Sequence, residues 1–150
     1  MSDRLPPTGL PSFVEQLRKE ILEVTKRAYG ERVFQRWRNP LYEGSLTNPD
    51  GYACLRGSCG DSIEVFLRFD GGRVRDASFR TAGCGASVVC GSYAAELALD
   101  KGPEEIQKIT GKSILERLGG LPREEEPVAT LAAETLQAAL QDFICKRQLK

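Results

Sequence analysis

Residues 59–85 read CGDSIEVFLRFDGGRVRDASFRTAGCG, and this stretch decides the fold. Residues 63–69 alternate between apolar side chains on one side and mainly charged side chains on the other, which predicts a β-strand with one apolar face. Residues 70–72, Asp-Gly-Gly, predict a hairpin turn. Residues 73–81 then predict a returning strand, whose apolar positions change parity in a way that indicates a β-bulge.

A thiol stands at each end of this hairpin. Cys59 is followed by Gly60, and Cys84 lies between Gly83 and Gly85. The 24 residues between the two cysteines centre near the turn, so paired strands would bring both thiols to the open end of the ribbon. The glycines allow unusual backbone dihedrals and close approach of a bound group. We therefore single out Cys59 and Cys84 as functional residues, with glycines 60, 83 and 85 shaping their loops.

The position of Cys84 favours reactivity, since it immediately precedes a predicted helix. Free N–H groups and the dipole at a helix N-terminus stabilise negative charge, which favours the thiolate over the thiol. Asp61 adds a carboxylate beside Cys59, as an oxygen ligand or a hydrogen-bond acceptor.

Composition restricts the chemistry. The 150 residues include five cysteines and no histidine, with 21 basic and 21 acidic side chains. Zero net charge gives no basic field for nucleic acid or a membrane surface, and the absence of histidine excludes the usual hydrolase triads. The N-terminus lacks a secretory pattern and no apolar run reaches the length of a membrane span. We expect a cytoplasmic protein with reduced thiols.

Helical patterns flank the predicted ribbon. Residues 1–11 are a proline-containing lead-in, and one domain is expected over 12–150. Before the ribbon, helices are predicted from Ser12 to Tyr29, with Gly30 ending the first, and over 31–37. After the ribbon, four more helices are predicted, and residues 41–57 are expected to be irregular. Helices, then a small antiparallel sheet, then helices indicate the α+β class. The other cysteines stay open: Cys54 between packing and function, while Cys90 and Cys145 fit core packing or a tail.

In order and spacing, several motifs together resemble the U-type iron–sulfur cluster assembly scaffolds, the family of IscU and the N-terminal domain of NifU. The resemblance covers about residues 31–143. The residues that carry it are Asn39-Pro40, Gly44-Ser45-Leu46, Cys59-Gly60-Asp61, Asp76-Ala77-Ser78-Phe79, the run from Thr81 to Ser87, and Leu121-Pro122.

The resemblance implies a three-stranded antiparallel sheet with helices packed on one face, here with an extra N-terminal helix. It implies a non-enzymatic carrier that receives sulfur from a cysteine desulfurase, builds a [2Fe–2S] cluster on thiolates and passes it to apo iron–sulfur proteins. Thiolates suit both persulfide transfer and iron ligation. By position, Cys59 and Cys84 would be cluster ligands, and Asp61 would keep the cluster exchangeable.

The chain departs from this family at two places. The third family cysteine falls at Val128 and the histidine before it at Pro127, and neither residue can bind a metal. Residues 123–126, Arg-Glu-Glu-Glu, replace the family's proline-valine-lysine chaperone-binding pattern, so the resemblance does not extend to the chaperone interaction.

Two other thiols are candidates for the missing ligand. With Cys59 and Cys84, Cys54 and Cys90 make a four-thiol set that would hold a [2Fe–2S] cluster or a tetrahedral zinc. Our hypothesis is that Cys90 or Cys54 replaces the lost cysteine. Two alternatives remain: a persulfide acceptor that relays sulfur without iron, and a degenerate scaffold that binds zinc or no metal.

Overall fold

The computed structural model describes residues 10–58, 60–83 and 85–148. It has an α+β fold, as predicted, built on a three-stranded antiparallel sheet. The elements in chain order are α1 (Leu10–Tyr29), α2 (Glu31–Arg38), β1 (Gly51–Arg56), β2 (Ser62–Asp70), β3 (Arg73–Ala82), α3 (Gly85–Ala98), α4 (Pro103–Ile106), α5 (Gly111–Leu118), a turn of 3-10 helix (Arg123–Glu125) and α6 (Glu126–Gln148).

The hairpin that the alternation predicted is β2 and β3. Val65 lies opposite Phe79, and Ser62 lies opposite Ala82 at the open end. The register shifts near the turn, where β3 carries one more residue than β2, so Arg75 has no counterpart. This is the predicted bulge.

Strand β1 corrects the expectation that residues 41–57 are irregular. Its residues pair with β2 in antiparallel register, from Gly51 opposite Leu67 to Arg56 opposite Ser62. The strand forms because α6 packs on it: a Cβ at Gly51 would overlap the Ala139 carbonyl group. Tertiary packing thus overrides a weak local pattern.

Helices α3 and α6 cover the same face of the sheet. A Cβ at Gly91 of α3 would lie 2.5 Å from Cδ2 of Phe79, so helix and sheet are in close contact at that point. Gly51 and Phe79 both lie on the face that also carries Ile63, Val65 and Leu67. The main core lies between this face and the helices; its fully buried large side chains include Ile63, Leu67, Phe79, Ile106, Ile114, Leu118, Leu136 and Leu140.

Both edges of the sheet have neighbours. Beside β3, the Phe79 N–H donates to the Tyr42 carbonyl oxygen at 3.0 Å, and the Gly44 N–H donates to the Phe79 carbonyl oxygen at 2.8 Å. At the β1 edge, the Tyr52 N–H donates to the Asp142 carboxylate at 3.0 Å.

Helix α1 is the extra N-terminal helix. It begins at Leu10, two residues before the predicted start at Ser12, and it packs chiefly against α2. Most of the lead-in predicted over 1–11, namely residues 1–9, lies outside the described residues. In the part of the chain that the structure describes, no helix combines the length and apolarity that a membrane crossing requires.

Candidate functional site

The residues on either side of Cys59 form a tight turn after β1. The Gly57 N–H donates to the Asp61 carbonyl oxygen at 2.8 Å, and the Gly60 N–H donates to the Gly57 carbonyl oxygen at 3.1 Å. Gly60 has a φ of 93°, which side-chain-bearing residues rarely adopt. Cys59 itself lies outside the described residues.

The residues on either side of Cys84, which is also outside the described residues, are held by one side chain. The Thr81 hydroxyl lies 2.8 Å from the Ser62 carbonyl oxygen and 2.8 Å from the Ser87 hydroxyl. Ser87 is fully buried in the first turn of α3. Thr81 therefore ties β2, the end of β3 and the start of α3 together at the open end of the hairpin.

The two turns meet at Asp61 and Gly83. Ser62 and Ala82 are paired, and the Asp61 side chain lies against the backbone of Gly83. A Cβ at Gly83 would be 2.5 Å from Asp61 Oδ1 and 3.0 Å from Asp61 Cβ. The residue before Cys84 thus touches the carboxylate two positions after Cys59.

Trp37 borders the second turn. Its indole Nε1 would lie 3.0 Å from a Cβ built at Gly85, the first residue of α3. The Trp37 side chain is 41% exposed, whereas Phe34 on the same helix is buried. The exposed indole of Trp37 therefore lies beside Gly85, the residue that follows Cys84 in the sequence.

Arg36 holds α2 in this place. Its guanidinium group pairs with the Glu96 carboxylate at 2.7 Å, donates to the Ser92 hydroxyl at 3.0 Å and lies 3.9 Å from the centre of the Tyr93 ring. The Arg36 and Glu96 side chains are 12% and 19% exposed, so this ion pair is shielded from solvent.

An open cavity of 640 Å³ adjoins the first turn. Ser58, which precedes Cys59, lines it together with Pro127 and Val128 from the start of α6. Val128, the position to which the resemblance assigns the third cysteine, therefore borders the same cavity as the Cys59 turn. Basic side chains of Arg56, Lys112 and Arg123 also line it, beside the carboxylates of Glu126 and Glu134.

The structure separates the two candidate replacement ligands. Cys54 is exposed on β1 and lies opposite Glu64, on the sheet face away from α3 and α6. Cys90 is fully buried in the core on the other face, in the hydrophobic cluster that also contains Ile63 and Val65. These two thiols are not brought together, and the sheet lies between them.

Tyr52 lies on the same exposed face of the sheet as Cys54 and Glu64. Its hydroxyl donates to the Glu64 carboxylate. This hydrogen bond, with a smaller contribution from desolvation, raises the pKa of Tyr52 to about 12, because ionisation would remove the donor and place two negative charges side by side.

Within residues 10–58, 60–83 and 85–148, no three cysteine, aspartate or glutamate side chains form a group that could hold a metal ion.

Two contributions to the site were not foreseen from sequence: the bridging hydroxyl of Thr81 and the indole of Trp37. A signal for the first was available, because Thr81 is a polar residue at a position whose parity places it on the apolar face of β3.

Sequence comparison assigns the chain to a family. Residues 28–150 match the family described as NifU-like N terminal domain. The chain belongs to this family.

Among curated proteins, the chain is 34% identical over 119 residues to the iron-sulfur cluster assembly scaffold protein IscU 1 of Archaeoglobus fulgidus, covering 79% of this chain and 78% of that protein. It is 33% identical over 128 residues to the iron-sulfur cluster assembly scaffold protein IscU of Escherichia coli, covering 82% of this chain and 99% of that protein.

A solved structure supports the fold. The crystal structure of a nitrogen-fixing NifU-like protein (N-terminal) from Brucella abortus matches with a TM-score of 0.64 at 17% identity, over 81% of this chain and 98% of that one. At this identity the match shows a shared architecture, the three-stranded sheet with its helices.

Proposed function

We propose that this protein is an iron–sulfur cluster assembly scaffold that builds a cluster as cargo on the thiolates of Cys59 and Cys84. The observation that carries the proposal is the contact of Asp61 with Gly83, next to the pairing of Ser62 with Ala82. These contacts support convergence of the two cysteine turns at one end of the sheet, where two thiolates would share one cluster.

Residue chemistry supports the same roles. Thiolates are the usual protein ligands of iron–sulfur clusters. A carboxylate is a harder and weaker ligand for soft iron–sulfur centres, so Asp61 would favour release of the cluster over permanent retention. Gly60, Gly83 and Gly85 would leave the cluster accessible from the solvent side, since they add no side chains around it.

The proposed cluster implies two kinds of partner protein. A cysteine desulfurase would supply sulfur, and apo iron–sulfur proteins would receive the finished cluster. Direct transfer requires an accessible cluster, and the cavity at Ser58 opens next to the Cys59 turn. The family resemblance implies a [2Fe–2S] cluster, which thiolates would hold, and bound zinc would compete for the same thiolates.

Anaerobic reconstitution with ferrous iron and sulfide tests this function. We expect visible absorption and circular dichroism bands of a cluster, which Cys59→Ser and Cys84→Ser each abolish. Cys145→Ser is the matched control, because Cys145 is exposed near the end of α6, and it should retain the full signal. Retention of the spectrum in Cys59→Ser and Cys84→Ser would refute the proposal.

The replacement-ligand hypothesis is tested in the same assay. Cys54→Ser and Cys90→Ser are compared with the unmodified chain, and metal analysis gives the iron-to-zinc ratio. Loss or shift of the bands in one of these variants identifies the third thiolate. If neither substitution changes the absorption, the hypothesis fails.

Sulfur relay is the second candidate, and the apolar residue at position 128 favours it. Val128 is 5% exposed and offers no ligand where the family has a cysteine. In a relay, a thiolate of Cys59 or Cys84 attacks the outer sulfur of a desulfurase persulfide, the sulfur–sulfur bond breaks, and the desulfurase thiolate leaves. Mass spectrometry would find a gain of one sulfur atom on the chain, and reconstitution would leave the protein colourless.

A further inference from the structure

Helix α1 carries an exposed apolar face. Val14 and Leu17 are each 45% exposed, and Phe13, Ile21 and Val24 are more exposed still. The helix has 20 residues, which corresponds to a length of about 30 Å. Most of the stability of protein helices comes from packing of such a face, so this face indicates a partner.

The spacing of the face identifies the kind of partner. Val14 and Ile21 are seven residues apart, and Leu17 and Val24 repeat the same interval three residues later. Apolar residues at alternating steps of three and four form the narrow seam of a two-stranded coiled coil. In heptad notation, Val14 and Ile21 take position a, while Leu17 and Val24 take position d.

We propose that α1 pairs with α1 of a second copy of this chain as a parallel two-stranded coiled coil. β-Branched residues at position a, with leucine at position d, favour two strands in parallel orientation. Val14, Leu17 and Ile21 meet that rule in three successive layers. This dimer goes beyond the scaffold function and does not depend on it.

The charges beside the seam favour the parallel orientation. Position e holds Arg18 and Thr25, and position g holds Phe13, Glu20 and Arg27. In a symmetric antiparallel pair, Arg18 would face Arg18 of the second copy and Glu20 would face Glu20, which places like charges together at the centre of the seam, while Phe13 would face Arg27 at its ends. In a parallel pair, position g faces position e of the second copy, so Arg18 lies beside Phe13, a cation–π arrangement.

The polar face argues against a lipid surface as the occupant. Helices that lie on membranes carry mainly lysine and arginine opposite their apolar face. In α1 the acids Glu15 and Glu23 alternate with Lys19 and Arg27 at spacings of four residues, which stabilises a helix in water. Such a balanced face gives little attraction to anionic headgroups.

Analytical ultracentrifugation of the full chain at micromolar concentrations tests the dimer. We expect twice the chain mass of 16.5 kDa. Leu17→Lys with Ile21→Lys should halve the mass to that of a monomer. The control, Gln16→Lys, introduces a lysine at position c, away from the seam, and should remain dimeric, whereas Leu17→Lys alone should already weaken the dimer.

Circular dichroism of each variant verifies that the domain remains folded. A monomeric unmodified chain, or a dimer that survives Leu17→Lys with Ile21→Lys, would overturn the proposal. Binding of the monomeric chain to vesicles of phosphatidylcholine and phosphatidylserine would overturn it in favour of a lipid surface.

Disulfide trapping tests the orientation. In a chain with Val14→Cys and Val24→Cys, parallel helices link position 14 to position 14 and position 24 to position 24. Trypsin separates the two positions, because Arg18 and Lys19 lie between them, so mass spectrometry identifies the linked peptides. Links from position 14 to position 24 of the second copy would contradict the parallel arrangement.

Discussion

The Asp61 carboxylate lies so close to the backbone of Gly83 that a Cβ at position 83 would be 2.5 Å from Oδ1. Real Cβ atoms do not approach other atoms to this distance, so a side chain at position 83 must displace Asp61. The contact links the Cys59 turn to the Cys84 turn, and it explains in physical terms why a glycine precedes Cys84.

Gly83→Ala should therefore destabilise the protein by about 1–3 kcal/mol, the usual cost of overpacking. Unfolding in guanidinium chloride measures this change. Gly102→Ala is the control, because a Cβ at Gly102 would lie 3.5 Å from the Gly72 carbonyl oxygen, an ordinary contact. In an Asp61→Gly background the cost of Gly83→Ala should fall, since coupled neighbours are not additive. Equal costs in both backgrounds would contradict the contact.

Gly91→Ala should have a similar effect in the core. The added Cβ would meet the Phe79 ring at 2.5 Å, and both residues are buried where α3 crosses the sheet. We expect a loss of about 1–3 kcal/mol in the free energy of unfolding. Combining Gly91→Ala with Phe79→Leu should cost less than the sum of the two single changes. A purely additive result would show that helix and ring do not touch.

Glu96→Gln should cost more than an equivalent change at the surface. It leaves the Arg36 guanidinium, 12% exposed, without its nearest counter-charge. Because this pair is partly buried, we expect a loss between that of an exposed pair, less than about 1 kcal/mol, and that of a fully buried pair, about 3 kcal/mol or more. Asp70→Asn is the matched control, because Asp70 and Arg75 form a solvent-exposed pair worth less than about 1 kcal/mol. Similar losses in both variants would refute the argument.

The fluorescence of Trp37, the single tryptophan, gives a second measurement for Glu96→Gln. Arg36 holds α2 on α3 and thereby sets the distance from Trp37 to Gly85. We expect the emission to shift to longer wavelength when the ion pair is broken, while Asp70→Asn leaves it unchanged.

Tyr52 should titrate late. Its pKa is raised to about 12 by the hydrogen bond to Glu64, compared with about 10 for an unperturbed tyrosine. The stabilisation from this bond is fully present below pH about 10 and is lost as the pH rises through about 12, because the raised pKa belongs to the folded state. Absorbance at alkaline pH follows the ionisation, and Glu64→Gln should return this tyrosine toward its ordinary pKa. A titration identical in both proteins would contradict the bond.

The sequence was sufficient for the hairpin and insufficient for β1. The alternation over 63–69, a glycine turn and a parity change at the bulge are local signals, and each was confirmed. Strand β1 has no such signal, since Gly51 and Ala53 contribute little apolar area, and it exists because α6 packs on it. Long-range packing of this kind is not encoded in the spacing of neighbouring residues.

At the candidate site, too, local motifs predicted the turns, whereas long-range contacts decide where Trp37 lies. The glycine-flanked motifs predicted two turns at one end of the hairpin, and the contact of Asp61 with Gly83 is consistent with that prediction. The roles of Cys59 and Cys84 as ligands remain predictions. The placement of Trp37 beside Gly85 depends on the partly buried pair of Arg36 and Glu96, which are 60 residues apart, so no local pattern could indicate it.

The hydrogen bonds at the two margins of the sheet have a consequence for how other proteins can approach. Tyr42 and Gly44 form hydrogen bonds to the main chain of Phe79 in β3. The Asp142 carboxylate accepts a hydrogen bond from the Tyr52 N–H of β1. Unpaired strand margins recruit foreign strands and seed aggregation. Where these groups are already engaged, a foreign strand finds fewer free donors and acceptors, so the folded protein offers fewer templates for strand addition at either margin.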